Sequence, residues 1–203
     1  MNGPVYTGRV NAPEGIDYYD NTGHRGIVIA DRGSTRVKFL RIAGPSLLFG
    51  GSISIGDTNN IACGGTFHTE NINANLTPCS GIYDVAAVGS KICFTKFTYH
   101  NARCINSTGE INTIIGGPQG IDDTSLLYGP GGTFDGLDFN PLAPNYASQN
   151  GVTSFYLPSP LAEPTITSSY GQLSYPIPIR PINDTTVLIG DYTLGLIRKV
   201  KVP

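Results

Sequence analysis

Short apolar runs separated by Gly- and Pro-rich turns recur along the whole chain. The two clearest examples span residues 26–39 and 186–200, and they share one arrangement. In each, an apolar run rich in β-branched residues leads into a turn headed by an aspartate, Asp31 or Asp191, and a second apolar run follows. Two such runs joined by a short turn predict a β-hairpin.

The hairpin pattern is repeated, which bears on the architecture. A basic residue follows each aspartate seven positions later, at Lys38 and Arg198. A looser third copy spans residues 91–105, where Thr95 takes the place of the aspartate and the turn has one extra residue. Further short strands flank the hairpins, and a repeated unit of three or four antiparallel strands is typical of a propeller blade.

The composition supports an all-β chain. Its 203 residues include 26 glycines and 15 prolines spread throughout, so no stretch of helical length keeps an apolar period of 3.6. The remaining apolar residues are mainly of types that favour strands. A chain of this length is expected to form one domain.

Two segments resemble the NHL-repeat family of β-propellers. Residues 29–38 match that family's strand ending in Ala-Asp, its Gly-containing turn and its basic strand, and residues 108–116 match its last strand. The hairpin at 186–200 departs from the pattern, because Leu196 stands where the family has its first Arg, although Arg198 and Lys199 are kept. The resemblance covers about half of the chain and implies a partial or open β-propeller, while it says little about function.

The spacing of the repeats predicts two long inserted loops. The turn positions at 31, 95 and 191 lie 64 and 96 residues apart, whereas a blade takes roughly 40–50 residues. A strand of a degenerate blade is a further interpretation for residues 152–157. We therefore expect one propeller domain with these parts in chain order: a blade at about 4–46, a loop at 47–77, a blade at 78–117, a loop or degenerate blade at 118–169, and a blade at 170–203.

The four cysteines fit two disulfides. Cys93 and Cys104 flank a predicted hairpin and fall near opposite one another, and Cys63 and Cys79 bracket the segment 64–78. On a loop-entropy model the second bridge would contribute about 3 kcal/mol. The alternative is four reduced thiols. The paired interpretation predicts an oxidising location, extracellular or periplasmic, with the cell surface included.

Charge limits the partners. Charged residues make up 14% of the chain and the net charge is −2, so a nucleic-acid partner is not expected. No apolar run approaches the length of a membrane span. A surface so poor in charge favours protein partners, reached through blade edges and the long loops, with a homo-oligomer among the options.

The search for catalytic, cofactor and metal residues yields none. The carboxylates at 122–123 and 135–138 lack the spacing of a calcium loop, and the chain has no Gly-x-Ser-x-Gly and no Cys-x-x-Cys. Asp31 and Asp191 face Arg36 and Arg198 across their turns, and we interpret all four as structural turn residues that form ion pairs.

Two functions remain open. The first is a non-enzymatic interaction or structural module, a propeller fragment completed by other chains or further sequence. The second is an extracellular or periplasmic propeller enzyme, a lyase or hydrolase, whose metal site lies in blades outside this sequence. The first predicts that the last strand, about 194–202, pairs with residues 5–10 or presents an open edge to another molecule.

Overall fold

The computed structural model describes residues 9–66, 71–98, 100–116, 152–156, 165–166, 173, 175–192 and 196–203. Within these residues it contains sixteen strands, two short 3-10 turns and no α-helix. The strands, in chain order, are β1 Pro13–Asn21, β2 His24–Asp31, β3 Arg36–Ala43, β4 Leu47–Leu48, β5 Gly51–Ser52, β6 Thr58–Ala62, β7 Ile72–Asn73, β8 Ile82–Val88, β9 Lys91–Lys96, β10 Asn101–Ile105, β11 Glu110–Gly116, β12 Val152–Tyr156, β13 Thr165–Ile166, β14 Pro176–Asn183, β15 Thr186–Asp191 and β16 Leu196–Lys201. The prediction of an all-β fold is confirmed.

The larger sheets are antiparallel and blade-like. Sheet 1 has the order β1-β2-β3-β6, sheet 2 the order β8-β9-β10-β11-β7, and sheet 3 the order β14-β15-β16-β12-β13. Strands β4 and β5 form a separate hairpin. Each sheet is built around three strands that follow one another in sequence, as expected for a repeated hairpin unit.

The predicted hairpins lie in equivalent places. β2 and β3 are joined by the 3-10 turn Arg32–Ser34, and β9 pairs with β10 around residues 97–100. β15 pairs with β16, although most of their turn lies outside the described residues. β6 falls inside the segment 47–77 that the repeat spacing assigns to a loop, because a run of two asparagines hides its alternation.

The expectation of an open edge on the last strand was wrong. β16 pairs with β15 on one side and with β12 on the other, so Ile197 lies opposite both Gly190 and Phe155. The edge of β16 at residues 196–199 is therefore paired within the chain, and the alternative partner at residues 5–10 lies largely outside the described residues. β12 covers residues 152–156, where the sequence predicts a degenerate blade, but it joins sheet 3.

The sheets pack through two apolar clusters. Tyr19, Val28 and Phe39 of sheet 1 are buried with Ile92 and Phe94 of sheet 2. The second cluster joins sheets 2 and 3, and its members include Val88, Cys93, Ile179, Val187 and Ile189. Sheet 2 is thus covered on both faces, because successive side chains of a strand point to opposite sides.

The small hairpin β4–β5 adds an anchor to the first cluster. Phe49, between its two strands, is 3% exposed and meets Tyr19 and Phe39 edge-on, with ring centroids 5.4 and 5.6 Å apart. Such edge-on aromatic contacts stabilise beyond the area they bury. The hairpin is therefore held by the core, although it belongs to no large sheet.

Both cysteine pairs lie at disulfide distance. Cys93 is directly opposite Cys104 in the β9–β10 register, with their Sγ atoms 1.93 Å apart. The Sγ atoms of Cys63 and Cys79 are 1.95 Å apart. Cys63 follows β6 and Cys79 precedes β8, so this pair ties the outer strand of sheet 1 to the first strand of sheet 2.

Gly15 permits the closest approach of sheets 1 and 2. A Cβ atom there would lie 2.2 Å from Oδ1 and 2.8 Å from Cα of Asp84 in β8. We expect Gly15→Ala to lower the free energy of unfolding by about 1–3 kcal/mol, since the backbone of the neighbouring sheet must move.

Gly51→Ala is the matched control, because a Cβ atom at Gly51 meets nothing within 4 Å. We expect it to change stability by less than about 0.5 kcal/mol. Urea unfolding followed by circular dichroism measures both variants, and equal stabilities would contradict the close packing of sheets 1 and 2.

Candidate functional site

An aspartate in β1 links sheet 1 to sheet 2. Oδ1 of Asp17 accepts a hydrogen bond from the backbone N–H of Tyr18 at 2.8 Å, and Oδ2 accepts one from the backbone N–H of Ala87 in β8 at 2.7 Å. β8 is the edge strand of sheet 2, and an edge strand has N–H groups that no neighbouring strand can meet. The carboxylate meets one of them.

Asp84 in β8 repeats this arrangement toward sheet 3. Its Oδ1 accepts from the backbone N–H of Val85 at 3.0 Å, and its Oδ2 accepts from the backbone N–H of Ile179 in β14 at 3.0 Å. The same oxygen pairs with the guanidinium of Arg180. Asp17 and Asp84 therefore form two successive links of one kind, and we call them the inter-sheet aspartates.

The sequence carries a weak signal for this pair. Asp17 follows Gly15-Ile16, and Asp84 follows Gly81-Ile82-Tyr83, so each stands two or three residues after a Gly at the beginning of a strand or just before it. The different spacing conceals the correspondence. Only the packing of the sheets shows that both carboxylates reach the next sheet.

Thr95 also joins sheets 2 and 3. It stands where the other two hairpins have aspartate, it is fully buried, and its Oγ1 donates to the backbone carbonyl of Ile177 at 2.8 Å. A hydroxyl can donate to a carbonyl, whereas an ionised carboxylate cannot. Thr95 thus replaces the aspartate of the other two hairpins and makes a hydrogen bond to sheet 3 that an ionised aspartate cannot make.

The turn aspartate Asp31 is buried and paired. Its Oδ2 lies 2.5 Å from Nζ of Lys38, and its Oδ1 accepts from the backbone N–H of Asn11 at 2.7 Å. Burial alone would raise the pKa of Asp31, but the hydrogen bonds from Lys38, Asn11 and Ser34 outweigh it, and the pKa is lowered.

The partner of Asp31 is not the one that the turn pattern suggests. Arg36 lies opposite Asp31 in the strand register, yet its Nη1 donates to the carbonyl of Thr35 at 3.3 Å, and Lys38 makes the ion pair. Lys38 is two residues farther along β3. Lys38 and Arg36 lie on the same face of β3, because they are two residues apart in a strand.

Asp191 and Arg198 occupy the corresponding places in sheet 3. Their exposures are 2% and 0%. Arg198 lies opposite Ile189, two residues before Asp191, just as Lys38 lies opposite Ile29, two residues before Asp31. A buried guanidinium is costly without a counter-charge, which favours the structural interpretation of this pair.

A row of stacked side chains crosses the sheets at the end where these hairpins turn. The guanidinium of Arg32 lies 4.4 Å from the ring centroid of Tyr83. Tyr83 contacts Phe97 at 5.2 Å, Phe97 contacts Tyr175 at 4.3 Å, and Tyr175 contacts His100 at 5.0 Å. The row runs from the β2–β3 turn to Tyr175, just before β14, and its rings are tilted against one another at 46°, 37° and 58°.

The outward face of sheet 1 carries a group of apolar side chains, three of which are exposed. Ile16 is 66% exposed, Tyr18 49% and Ile42 38%. Ile27 and Leu40, both half-buried, lie beside Tyr18 in the strand register. We call these five residues the outer face of sheet 1. It is the face that points away from sheet 2, because the alternate residue Tyr19 is buried in the core.

Among the described residues, no three His, Cys, Asp or Glu side chains come together as a metal-binding group. The carboxylates at 122–123 and 135–138 lie outside the described residues.

In the part of the chain that the structure describes, no helix is long and apolar enough to cross a membrane.

Comparison with known proteins identifies no family. No protein-family model matches the chain, and no curated protein matches it. Among solved structures, the chain is similar to a structural-genomics protein of unknown function from Bacteroides thetaiotaomicron VPI-5482, with 12% identity and a TM-score of 0.49. The similarity covers 87% of this chain and 32% of that protein, so this chain spans about a third of its length.

The inter-sheet aspartates give a direct test. We expect Asp17→Ala to lower the free energy of unfolding by about 1–3 kcal/mol, because the N–H of Ala87 loses its acceptor. Asp20→Ala is the control, since Asp20 is exposed and no carboxylate link to another sheet involves it. Chemical unfolding measures both, and a loss in Asp20→Ala as large as in Asp17→Ala would contradict the role of Asp17.

Proposed function

We propose that this chain is a non-enzymatic protein-interaction or structural module, a set of propeller blades that docks onto a further β-sheet through the outer face of sheet 1. The observation that carries the proposal is the exposure of Ile16 and Tyr18 on that face. Contiguous exposed apolar side chains on a folded protein typically mark an interaction surface.

The chemistry of the face suits a protein sheet. Its centre is aliphatic and aromatic, and the register places Asp20, Arg25 and Lys38 around it on the same face. An apolar centre with a polar margin is the usual composition of a protein interface. Sheets 1 and 2 already pack face to face, and the same packing extends to one more sheet on the other side of sheet 1.

A face is a better candidate than the edge that the sequence suggests. The last strand, β16, is paired with β15 along its length and with β12 over residues 196–199, so most of its edge is already occupied. β1 is the edge strand of sheet 1, and it borders the outer face. A sheet docked on the outer face would therefore cover Ile16 and Tyr18. A carboxylate on that sheet would accept a hydrogen bond from a backbone N–H of β1, as Asp17 accepts one from β8.

We also propose that the sheets are NHL-type blades and that the protein lies in an extracellular or periplasmic space. The repeated hairpins support the first, and the two cysteine pairs at disulfide distance support the second. Disulfides persist in oxidising compartments.

Two measurements test the docking proposal: protection of the outer face of sheet 1 in the native assembly, and loss of that assembly when the face is changed. In particles isolated from the native source, we expect Tyr18 to be protected from hydroxyl-radical oxidation and to become reactive in the purified chain. Tyr192, which is 77% exposed and lies in the turn after β15 of sheet 3, is the control and should react in both. A particle with the mass of the single polypeptide and a fully reactive Tyr18 contradicts the proposal.

Ile16→Lys provides the matching variant. It should weaken the association about tenfold or more, because a charge would be buried in the interface. Leu76→Lys, at a site 47% exposed and away from the outer face, should leave it unchanged. Native mass measurement and sedimentation compare the variants, and they also show whether the covering sheet belongs to another chain.

The compartment is tested by the state of the cysteines. In protein isolated under alkylating conditions, non-reducing peptide mapping should recover Cys63 linked to Cys79, and Cys93 linked to Cys104. A sample reduced before alkylation is the control and should yield four modified thiols. Four free thiols in the unreduced sample contradict an oxidising location.

A further inference from the structure

A cavity opens at the end of the sheets opposite the stacked aromatic row. Its volume is about 440 Å³, and it lies between sheets 1 and 2 where three turns and the hairpin β4–β5 meet. The turns contribute polar residues, namely Asn21, Thr22 and His24 from β1–β2, Ser90 from β8–β9, and Ser107 and Thr108 from β10–β11. A cavity of this size falls within the usual range for small-molecule sites.

One wall of the cavity is fixed in place. The hairpin β4–β5 provides Leu48, and the backbone N–H of Phe49 donates to the carbonyl of Ser107 at 3.2 Å. Gly109 has a φ of 87°, and a Cβ atom there would lie 2.4 Å from the carbonyl oxygen of Phe49. The hairpin therefore sits directly on the β10–β11 turn, and the wall is formed before any ligand arrives.

The described residues that line this cavity include no Asp, Glu, Lys or Arg. They present hydroxyls, the amide of Asn21 and the imidazole of His24, which between them both donate and accept hydrogen bonds. Beneath them lie the buried side chains of Tyr19 and Leu48, at 1% and 5% exposure. The lining thus combines a neutral polar margin with an apolar floor.

We propose that this cavity binds a neutral sugar unit. A sugar ring carries hydroxyls that both donate and accept, and a C–H surface that suits the floor formed by Tyr19 and Leu48. An anionic or cationic ligand would enter without a counter-charge, at a high cost in desolvation. The proposal is independent of the outer face of sheet 1, which lies on the other side of that sheet.

The mouth of the cavity is open, so the sugar has two sources. Leu47 at the margin is 70% exposed, and Thr22 and Ser107 are exposed as well. A free monosaccharide and the terminal unit of a longer glycan both fit this arrangement. The two share their chemistry and differ in the contacts that a second sugar unit would make at the margin.

Calorimetric titration of the full chain with D-glucose, D-galactose and N-acetyl-D-glucosamine tests the proposal, with D-glucuronate as the charged comparison. We expect at least one neutral sugar to bind with a Kd below about 10 mM. Glucuronate should bind at least about tenfold more weakly, or show no binding. For the sugar that binds, its trisaccharide is then titrated. Tighter binding of the trisaccharide identifies a glycan end, and equal binding identifies the free sugar.

Blocking variants locate the site. Ser90→Leu fills the cavity from an exposed turn, and it should weaken binding about tenfold or more. Ser54→Leu is the control, because Ser54 is exposed and does not line this cavity, and it should bind as the parent does. If Ser90→Leu fails to fold, as judged by circular dichroism, Ser107→Leu replaces it at the β10–β11 turn.

Three results would overturn the proposal. One is the absence of binding by all three neutral sugars at the stated limit. Another is equal binding of glucuronate, which would mean that charge is not excluded. The last is undiminished binding in a folded blocking variant, which would place the sugar elsewhere on the protein.

Discussion

The arrangement of the sheets depends on the backbone N–H groups at sheet edges that no strand of the same sheet meets. β8 and β14 each border their sheet, so part of their backbone has no strand partner. Asp17 and Asp84 meet these groups from the preceding sheet, each with one oxygen on its own strand and the other on the next. Because the acceptor lies on a neighbouring sheet, satisfying the edge also fixes the spacing and order of the sheets.

Apolar packing supplies most of the stabilisation between the sheets, and the polar contacts fix the position of each sheet relative to the next. The clusters on the two sides of sheet 2 bring the three sheets together without specifying how far one slides along another. The hydrogen bonds from the N–H of Ala87 to Asp17 and from Thr95 to the carbonyl of Ile177 act at single positions, so a slide of one sheet along another would break them. The two cysteine pairs restrain the same region, one within a hairpin and one between sheets 1 and 2.

The faces and the two ends of the assembly are chemically distinct. The outer face of sheet 1 is apolar and suits another sheet, whereas one end carries stacked rings that contact one another. The opposite end carries a neutral cavity lined by turns. This separation means that docking through the outer face and binding in the cavity use different residues, with Tyr18 and Tyr19 pointing to opposite sides of β1.

Local chemistry determined the hairpins, because an apolar run, a turn residue such as Asp31 and a second run specify a hairpin within about fifteen residues. The near-opposite placement of Cys93 and Cys104 follows from the same local register. The contacts between sheets could not be predicted from the sequence, because the partner of Asp17 is 70 residues away and that of Asp84 is 95 residues away. The pairing of β16 with β12 is also a long-range contact, since it sets Phe155 opposite Ile197. The choice of Lys38 over Arg36 is made within one hairpin, by side-chain geometry that the pattern of residues does not specify.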